Sequence, residues 1–247
     1  FRHRVRTCLS WTDLILTISE NSKKDIIEYF QIPPERIKVV SAATHLGKDT
    51  LRQKEVKKII ASIDYGFSKP YILFVGNIEP RKNIVTLIQA FNHLKKTYQV
   101  PHQLVLVGQK SWKCKPIFAA IDESPWAQEI HHLDYLSNEQ LAVFYEKASV
   151  LAYPSYYEGF GLPVLESMIF ETPVVTSNTS SLPEVAGEAA LLINPNDFEE
   201  LAEAILKVLT EDGLRQCLIK KGKDQAQKFS WQATARKTLA AYHSIMD

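Results

Sequence analysis

The chain has 247 residues, 45% apolar and 23% charged, and its 29 Lys and Arg nearly balance 28 Asp and Glu for a net charge of +1. Nine Gly and 12 Pro are ordinary proportions, so a collagen-like or disordered chain is excluded. Near-neutrality argues against a protein whose main partner is duplex DNA, since that binding rests on many phosphate contacts, and no nucleic-acid partner is expected; a local basic site remains open.

The chain starts Phe-Arg-His-Arg-Val-Arg, neither an initiator Met nor a signal peptide. It is expected to begin part-way through a longer protein. Two strand candidates follow, Leu14–Ile18 and Ile37–Val40, with a helix over Ser22–Phe30 that Pro33-Pro34 stops. Five further apolar runs are bounded by turn residues: Tyr71–Val75, Leu104–Val107, Val150–Tyr153, Pro173–Thr176 and Ala189–Ile193. None alternates strictly, as suits strands buried on both faces of a parallel sheet. Between them, Asn83–Tyr98 carries Ile84, Leu87, Ile88, Phe91 and Leu94 at helical period, and Ser137–Ala148 opens with a capping-box pair, Ser137 and Gln140. The tail predicts helices over Phe198–Leu209 and Leu214–Lys228 and a last one to Ile245, with Ser230 as N-cap. Strand and helix in alternation predict an α/β fold, a Rossmann-like parallel sheet flanked by helices.

Three cysteines, Cys8, Cys114 and Cys217, are widely spaced and include no Cys-x-x-Cys pair. Neither a disulfide framework nor a zinc site is expected, and a reducing compartment is the default. No apolar run approaches the length of a spanning helix.

Chemistry concentrates in Ala152–Ser167. A buried strand runs into a loop with Gly159 and Gly161, and Leu162-Pro163 opens a helix. Free N–H groups at a helix N-terminus favour phosphate, and glycine lets it approach closely. Glu158 and Glu166 flank this turn with seven residues between them. Spacing alone leaves two readings: a solvated loop acid and a surface helix acid, or two acceptors for ribose and sugar hydroxyls beside a phosphate site. A second patch follows Tyr71–Val75, where Gly76 allows a sharp exit and Arg81 and Lys82 stand at a helix start. Cations are misplaced there. They are either a solvated pair or a diphosphate site. Ligands of open α/β sheets bind at the carboxyl ends of strands, so the two patches can meet.

The stretch Glu158–Met168, E-G-F-G-L-P-V-L-E-S-M, resembles the E-x7-E motif of the GT-B retaining glycosyltransferases of family 4 (group 1). Phe74–Asn83, Leu104–Gly108, Thr172–Asn178 and Ser181–Gly187 fit that family in order. The resemblance implies the C-terminal half of a GT-B fold, which binds a nucleotide-sugar donor. Residues 1–34 would be the end of the acceptor domain, 35–229 the donor domain, and 230–247 a helix crossing back. The implied activity moves a hexose from a GDP-mannose-like or UDP-sugar donor to a glycan or lipid-linked acceptor, in a cytoplasmic setting at or near the inner membrane face. Any membrane contact would fall to the acceptor domain.

By position, Glu158 would contact the donor sugar as the catalytic carboxylate, and Glu166 the ribose. Backbone at Phe160, Gly161 and Leu162 would meet sugar and distal phosphate. Lys82 would neutralise the diphosphate beside Gly76 and Arg81, and Leu136 would read the base. No D-x-D motif occurs, so neither a metal nor another cofactor is expected. Two departures stand out: Asn77 where the family often has Arg, which leaves Arg81 as the second phosphate cation, and Ser41–Thr44 where Pro-Asn-Gly is common. Tyr153, Tyr156, Tyr157 and Phe160 read as stacking candidates for a base or sugar, with core packing at least as good a reading for Tyr153. His45, His102 and His131-His132 read as solvated or structural, and Glu184 as the cap of a short helix. An epimerase or phosphorylase on the same fold and a non-catalytic nucleotide binder are the alternatives. A dehydrogenase is disfavoured by the lack of G-x-G-x-x-G.

Overall fold

A computed structural model describes residues 2–47 and 69–245; residues 48–68 of the expected donor domain and Met246 of the expected last helix lie outside them. The main body is one six-stranded parallel sheet. Its strands are β3 (Tyr71–Val75), β4 (Gln103–Val107), β5 (Ile130–Leu133), β6 (Val150–Tyr153), β7 (Val174–Ser177) and β8 (Ala190–Ile193). Their order is β5-β4-β3-β6-β7-β8. A separate two-stranded parallel sheet pairs β1 (Ile15–Thr17) with β2 (Ile37–Val39), in register Ile15 with Ile37.

The apolar runs form the sheet because both faces are covered. Every residue of β3, β4, β6 and β7 is buried, and each large aliphatic side chain removed from water adds about 1.5–3 kcal/mol. Covering the sheet are α3 (Ile84–His93), α4 (Lys115–Asp122), α5 (Asn138–Lys147), α6 (Leu162–Ile169), α7 (Leu182–Ala186), α8 (Phe198–Thr210) and α9 (Asp212–Ala226); α10 (Trp231–His243) closes the chain. Helices α1 (Arg2–Ser10) and α2 (Glu20–Phe30) flank the small sheet. The capping box forms as expected: the Ser137 hydroxyl accepts from Gln140 N–H, and the Gln140 side chain accepts from Ser137 N–H.

Several expectations need correction. Strand β5, α1 and α4 were not predicted; Ile130-His131-His132-Leu133 is an edge strand whose two histidines interrupt the apolar run. Helix α2 ends at Phe30 as expected but starts two residues earlier, at Glu20, and its stop is Gln31 rather than Pro33-Pro34: Gln31 adopts a left-handed conformation (φ 58°) and its N–H bonds the Ile27 carbonyl. The helix expected over Asn83–Tyr98 has a π-helical last turn at Leu94–Tyr98. Arg81 and Lys82 lie in a 3-10 turn (Pro80–Lys82), separated from α3 by Asn83 at φ 58°.

The topology places the site. Strands β3 and β6 are neighbours at the centre of the sheet, and from them the strand order runs outward in opposite directions. The crevice beyond their carboxyl ends is where such sheets take ligands. The loops after β3 and β4 cross closely there: a Cβ on Gly108 would lie 2.1 Å from the Gly76 carbonyl oxygen. Gly108 is therefore obligatory, and Ile78 bridges to Lys110 beyond the strand ends.

Candidate functional site

Two loops form the crevice, and Asn83 stitches them together. Its side-chain amide donates to the carbonyls of Pro154 (3.0 Å) and Pro195 (2.6 Å), and Thr86 donates to its oxygen at 2.6 Å. The Tyr156 N–H bonds the Arg81 carbonyl at 3.0 Å. From the other side, the Ser180 hydroxyl accepts from Glu158 N–H at 3.0 Å. The buried Ser181 hydroxyl lies 2.9 and 2.8 Å from the carbonyls of Glu158 and Phe160. The loop carrying Glu158 is thus held on both flanks.

Glu158 is no solvated loop acid: it is 7% exposed. Lys82, also 7% exposed, places Nζ 2.6 Å from its Oε1. Arg81 Nη1 lies 2.8 Å from its Oε2, and Arg81 Nη2 lies 2.6 Å from Glu79 Oε1. The Tyr153 hydroxyl is 3.0 Å from Glu158 Oε1 and 2.6 Å from Lys82 Nζ. Carboxylates compensate the cations of the turn. Burial alone would push the Glu158 carboxyl up, but the Lys82 ammonium and Arg81 guanidinium outweigh it and hold it below its usual range. Burial pushes the Lys82 ammonium down, and a carboxylate shared with Arg81 does not fully restore it.

Gly161 is the N-cap of α6 at φ 111°, with Pro163 in the first turn. A Cβ there would lie 2.8 Å from Leu182 Cδ2, so glycine is required on two counts. The N–H groups of Phe160, Gly161 and Leu162 meet no acceptor among the described residues. They form a ready anion cradle. The Phe160 ring is buried against Phe229, 5.5 Å between centroids, so it packs rather than stacks on a ligand.

Glu166 projects from α6 to a different set of partners. Tyr145 donates to Oε2 at 2.8 Å and Thr44 to Oε1 at 3.0 Å. Burial pushes its carboxyl above the ordinary range, opposed by these two hydroxyls. Sequence reasoning missed both partners. Thr44 lies within the Ser41–Thr44 departure, and that oddity was the one available signal. In that turn the Thr44 hydroxyl also accepts from Leu46 N–H at 3.0 Å.

The structure brings Gly76, Arg81, Lys82 and Glu158 together, and a Cβ on Gly76 would sit 3.4 Å from the Lys82 side chain. Leu136 is half-buried against the core, at the foot of the capping box. Tyr153 is core, while Tyr156 and Tyr157 are exposed, and the Tyr157 hydroxyl donates to Asp25 of α2. Glu184 caps α2 across the chain rather than its own helix, accepting from Glu20 N–H (2.8 Å) and Asn21 N–H (2.7 Å). His45 stacks on Trp231 at 5.0 Å, and His132 Nε2 lies 2.9 Å from the Gly108 carbonyl. Among the described residues no cluster of metal ligands forms, and no helix is long and apolar enough to cross a membrane.

A six-stranded parallel sheet with cations, carboxylates and a free helix N-terminus at its central carboxyl edge defines an α/β protein with a candidate anion-binding crevice. The family model for glycosyl transferases group 1 matches residues 57–225, and the chain belongs to that family. It is 35% identical to the O-antigen chain mannosyltransferase B of Escherichia coli, over 93% of this chain and 60% of that protein. It is 32% identical to the MMP alpha-(1->4)-mannosyltransferase of Mycolicibacterium hassiacum, over 94% of this chain and 54% of that protein. The chain thus spans little more than half of these relatives. Sucrose-phosphate synthase from Thermosynechococcus elongatus superposes with a TM-score of 0.82 at 25% identity, over 99% of this chain and 61% of that one.

Proposed function

We propose that the chain is the donor-binding part of a retaining, family 4 hexosyltransferase that uses a GDP-mannose-like donor, with UDP-sugars as the second choice. The observation that carries this reading is the meeting of Lys82, Arg81 and Glu158 beside the open N–H groups at Gly161. One crevice offers cations and N–H donors for a diphosphate and a carboxylate for hydroxyls. Glu166 holds the ribose. Glu158 takes hydroxyls of the transferred sugar. The leaving diphosphate gains charge in the transition state, and fixed cations with a helix dipole stabilise it there. In this reading Lys82 and Arg81 supply the charge for which other transferases use a metal ion. The mannosyltransferase names of the relatives support mannose. The acceptor, a glycan or lipid-linked chain, belongs to the partner domain, of which residues 1–34 form the end.

The test is calorimetric titration with GDP, UDP and ADP without metal. One nucleoside diphosphate is expected to bind preferentially. Glu166→Ala should weaken it by about 1.5–3 kcal/mol, the worth of hydrogen bonds to a charged group. A folded protein that binds none of the three, or equal affinity in Glu166→Ala, overturns the reading.

A further inference from the structure

Tyr153 is the last residue of β6 and is fully buried. Its ring stacks on Phe74 of the neighbouring strand, 5.8 Å between centroids and 21° from parallel. Its carbonyl accepts from Thr176 of β7 at 2.8 Å. Ring and backbone are therefore fixed. The phenol oxygen reaches two partners, Lys82 Nζ at 2.6 Å and Glu158 Oε1 at 3.0 Å. An ammonium can only donate and a carboxylate only accept. The hydroxyl must accept from Lys82 and donate to Glu158.

We propose that Tyr153 is a positioning residue of the donor site, holding the Lys82 ammonium in the attitude that meets a diphosphate. This rests on the reading of Lys82 as the diphosphate cation. Lys82 has three N–H donors, and Tyr153 and Glu158 take two. The third is left for phosphate. A nucleotide-sugar draws on both charged partners: its diphosphate attracts Lys82, and its hydroxyls compete for Glu158. Once Glu158 turns to the sugar, Tyr153 is the remaining hydrogen-bond acceptor that the described residues give Lys82. Without it, a long side chain would have to be ordered by the ligand, and that order costs entropy. Burial, with Glu158 alongside, raises the phenol well above its ordinary value, so it stays neutral and never competes as an anion.

The experiment compares Tyr153→Phe with Tyr71→Phe by titrating each folded protein with the preferred nucleoside diphosphate and its monophosphate. Tyr71 also loses a buried hydroxyl bond, to the Phe144 carbonyl at 3.0 Å, but at the opposite end of the sheet. Tyr153→Phe should lose about tenfold in diphosphate affinity, one charge-assisted hydrogen bond. Its monophosphate affinity should stay within about twofold, and Tyr71→Phe should change neither. Equal losses on both ligands, or no loss on the diphosphate, would overturn the role. A wild-type protein that binds neither nucleotide instead overturns the donor-site reading. If Tyr153→Phe does not fold, 3,5-difluorotyrosine placed at 153 alone weakens the acceptor and keeps the shape. The same selective loss is then expected, and an unchanged diphosphate affinity refutes the proposal.

Discussion

Glu158→Gln separates the roles of the central ion cluster. The substitution keeps size and removes charge from a carboxylate that is 7% exposed and bonded by Lys82 at 2.6 Å and Arg81 at 2.8 Å. At an effective dielectric of about 20, two charges about 4 Å apart attract by about 4 kcal/mol before desolvation is counted. The Arg81 side chain is 39% exposed, so water screens its share and Lys82 dominates. Breaking a buried pair usually costs about 3–5 kcal/mol. Here Lys82 keeps Tyr153 and Arg81 keeps Glu79, so a loss of about 2–3 kcal/mol in urea unfolding is expected. Binding should move the other way. With no carboxylate competing for the cations, a bare nucleoside diphosphate should bind as well as before or up to about tenfold tighter. The added affinity that the sugar gives the intact donor should disappear. Calorimetry with the diphosphate and its sugar nucleotide reads both. A folded Glu158→Gln protein that binds the bare diphosphate more than about threefold more weakly would show that Glu158 assists the diphosphate, and the argument would fail.

Two further outcomes test the site. Gly161→Ala forces an L-residue to φ 111° and a Cβ to 2.8 Å from Leu182 Cδ2; it should cost about 2–4 kcal/mol in denaturant unfolding, and a loss below about 0.5 kcal/mol would contradict the close packing. Glu166 has a raised folded value, so its share of stability is present where it is protonated, below the unfolded value, and is lost as pH rises through the raised one. Ribose needs the ionised acceptor, so nucleotide affinity should fall on acidification already above the usual carboxylate range. Tyr145→Phe removes a hydroxyl that opposes the rise and should move that fall to still higher pH; matching pH profiles for variant and wild type would refute the role of Tyr145.

Much of the fold was legible because it rests on local signals. Apolar runs at β3, β4, β6 and β7 read correctly as buried strands, since a strand covered on both faces needs no polar alternation; β8 was found as a strand but is an edge strand, only partly buried, with Leu192 exposed. Ser137 and Gln140 are three residues apart and cap their own helix. Gly161 and Pro163 mark the start of α6 for steric reasons intrinsic to those residues. Strand β5 escaped because an edge strand tolerates histidines, and α4 because it is only eight residues long with Pro116 in its first turn. Family resemblance named Lys82, Glu158 and Glu166. It did not show what each touches.

Those contacts were decided by tertiary structure. Glu158 meets Lys82 across 76 residues and Thr44 meets Glu166 across 122. Glu184 caps α2 across 164. No periodicity encodes such pairs; they exist because β3 and β6, distant in sequence, are adjacent at the point where the strand order reverses. The sequence alone determined most of the strand, helix and turn segments, since backbone geometry and burial act over a few residues; the edge strand β5 and helices α1 and α4 were the exceptions. Only the packed sheet decided that two cations and a carboxylate would share one buried cluster, because charges in a low-dielectric interior take whichever partners the fold places within reach.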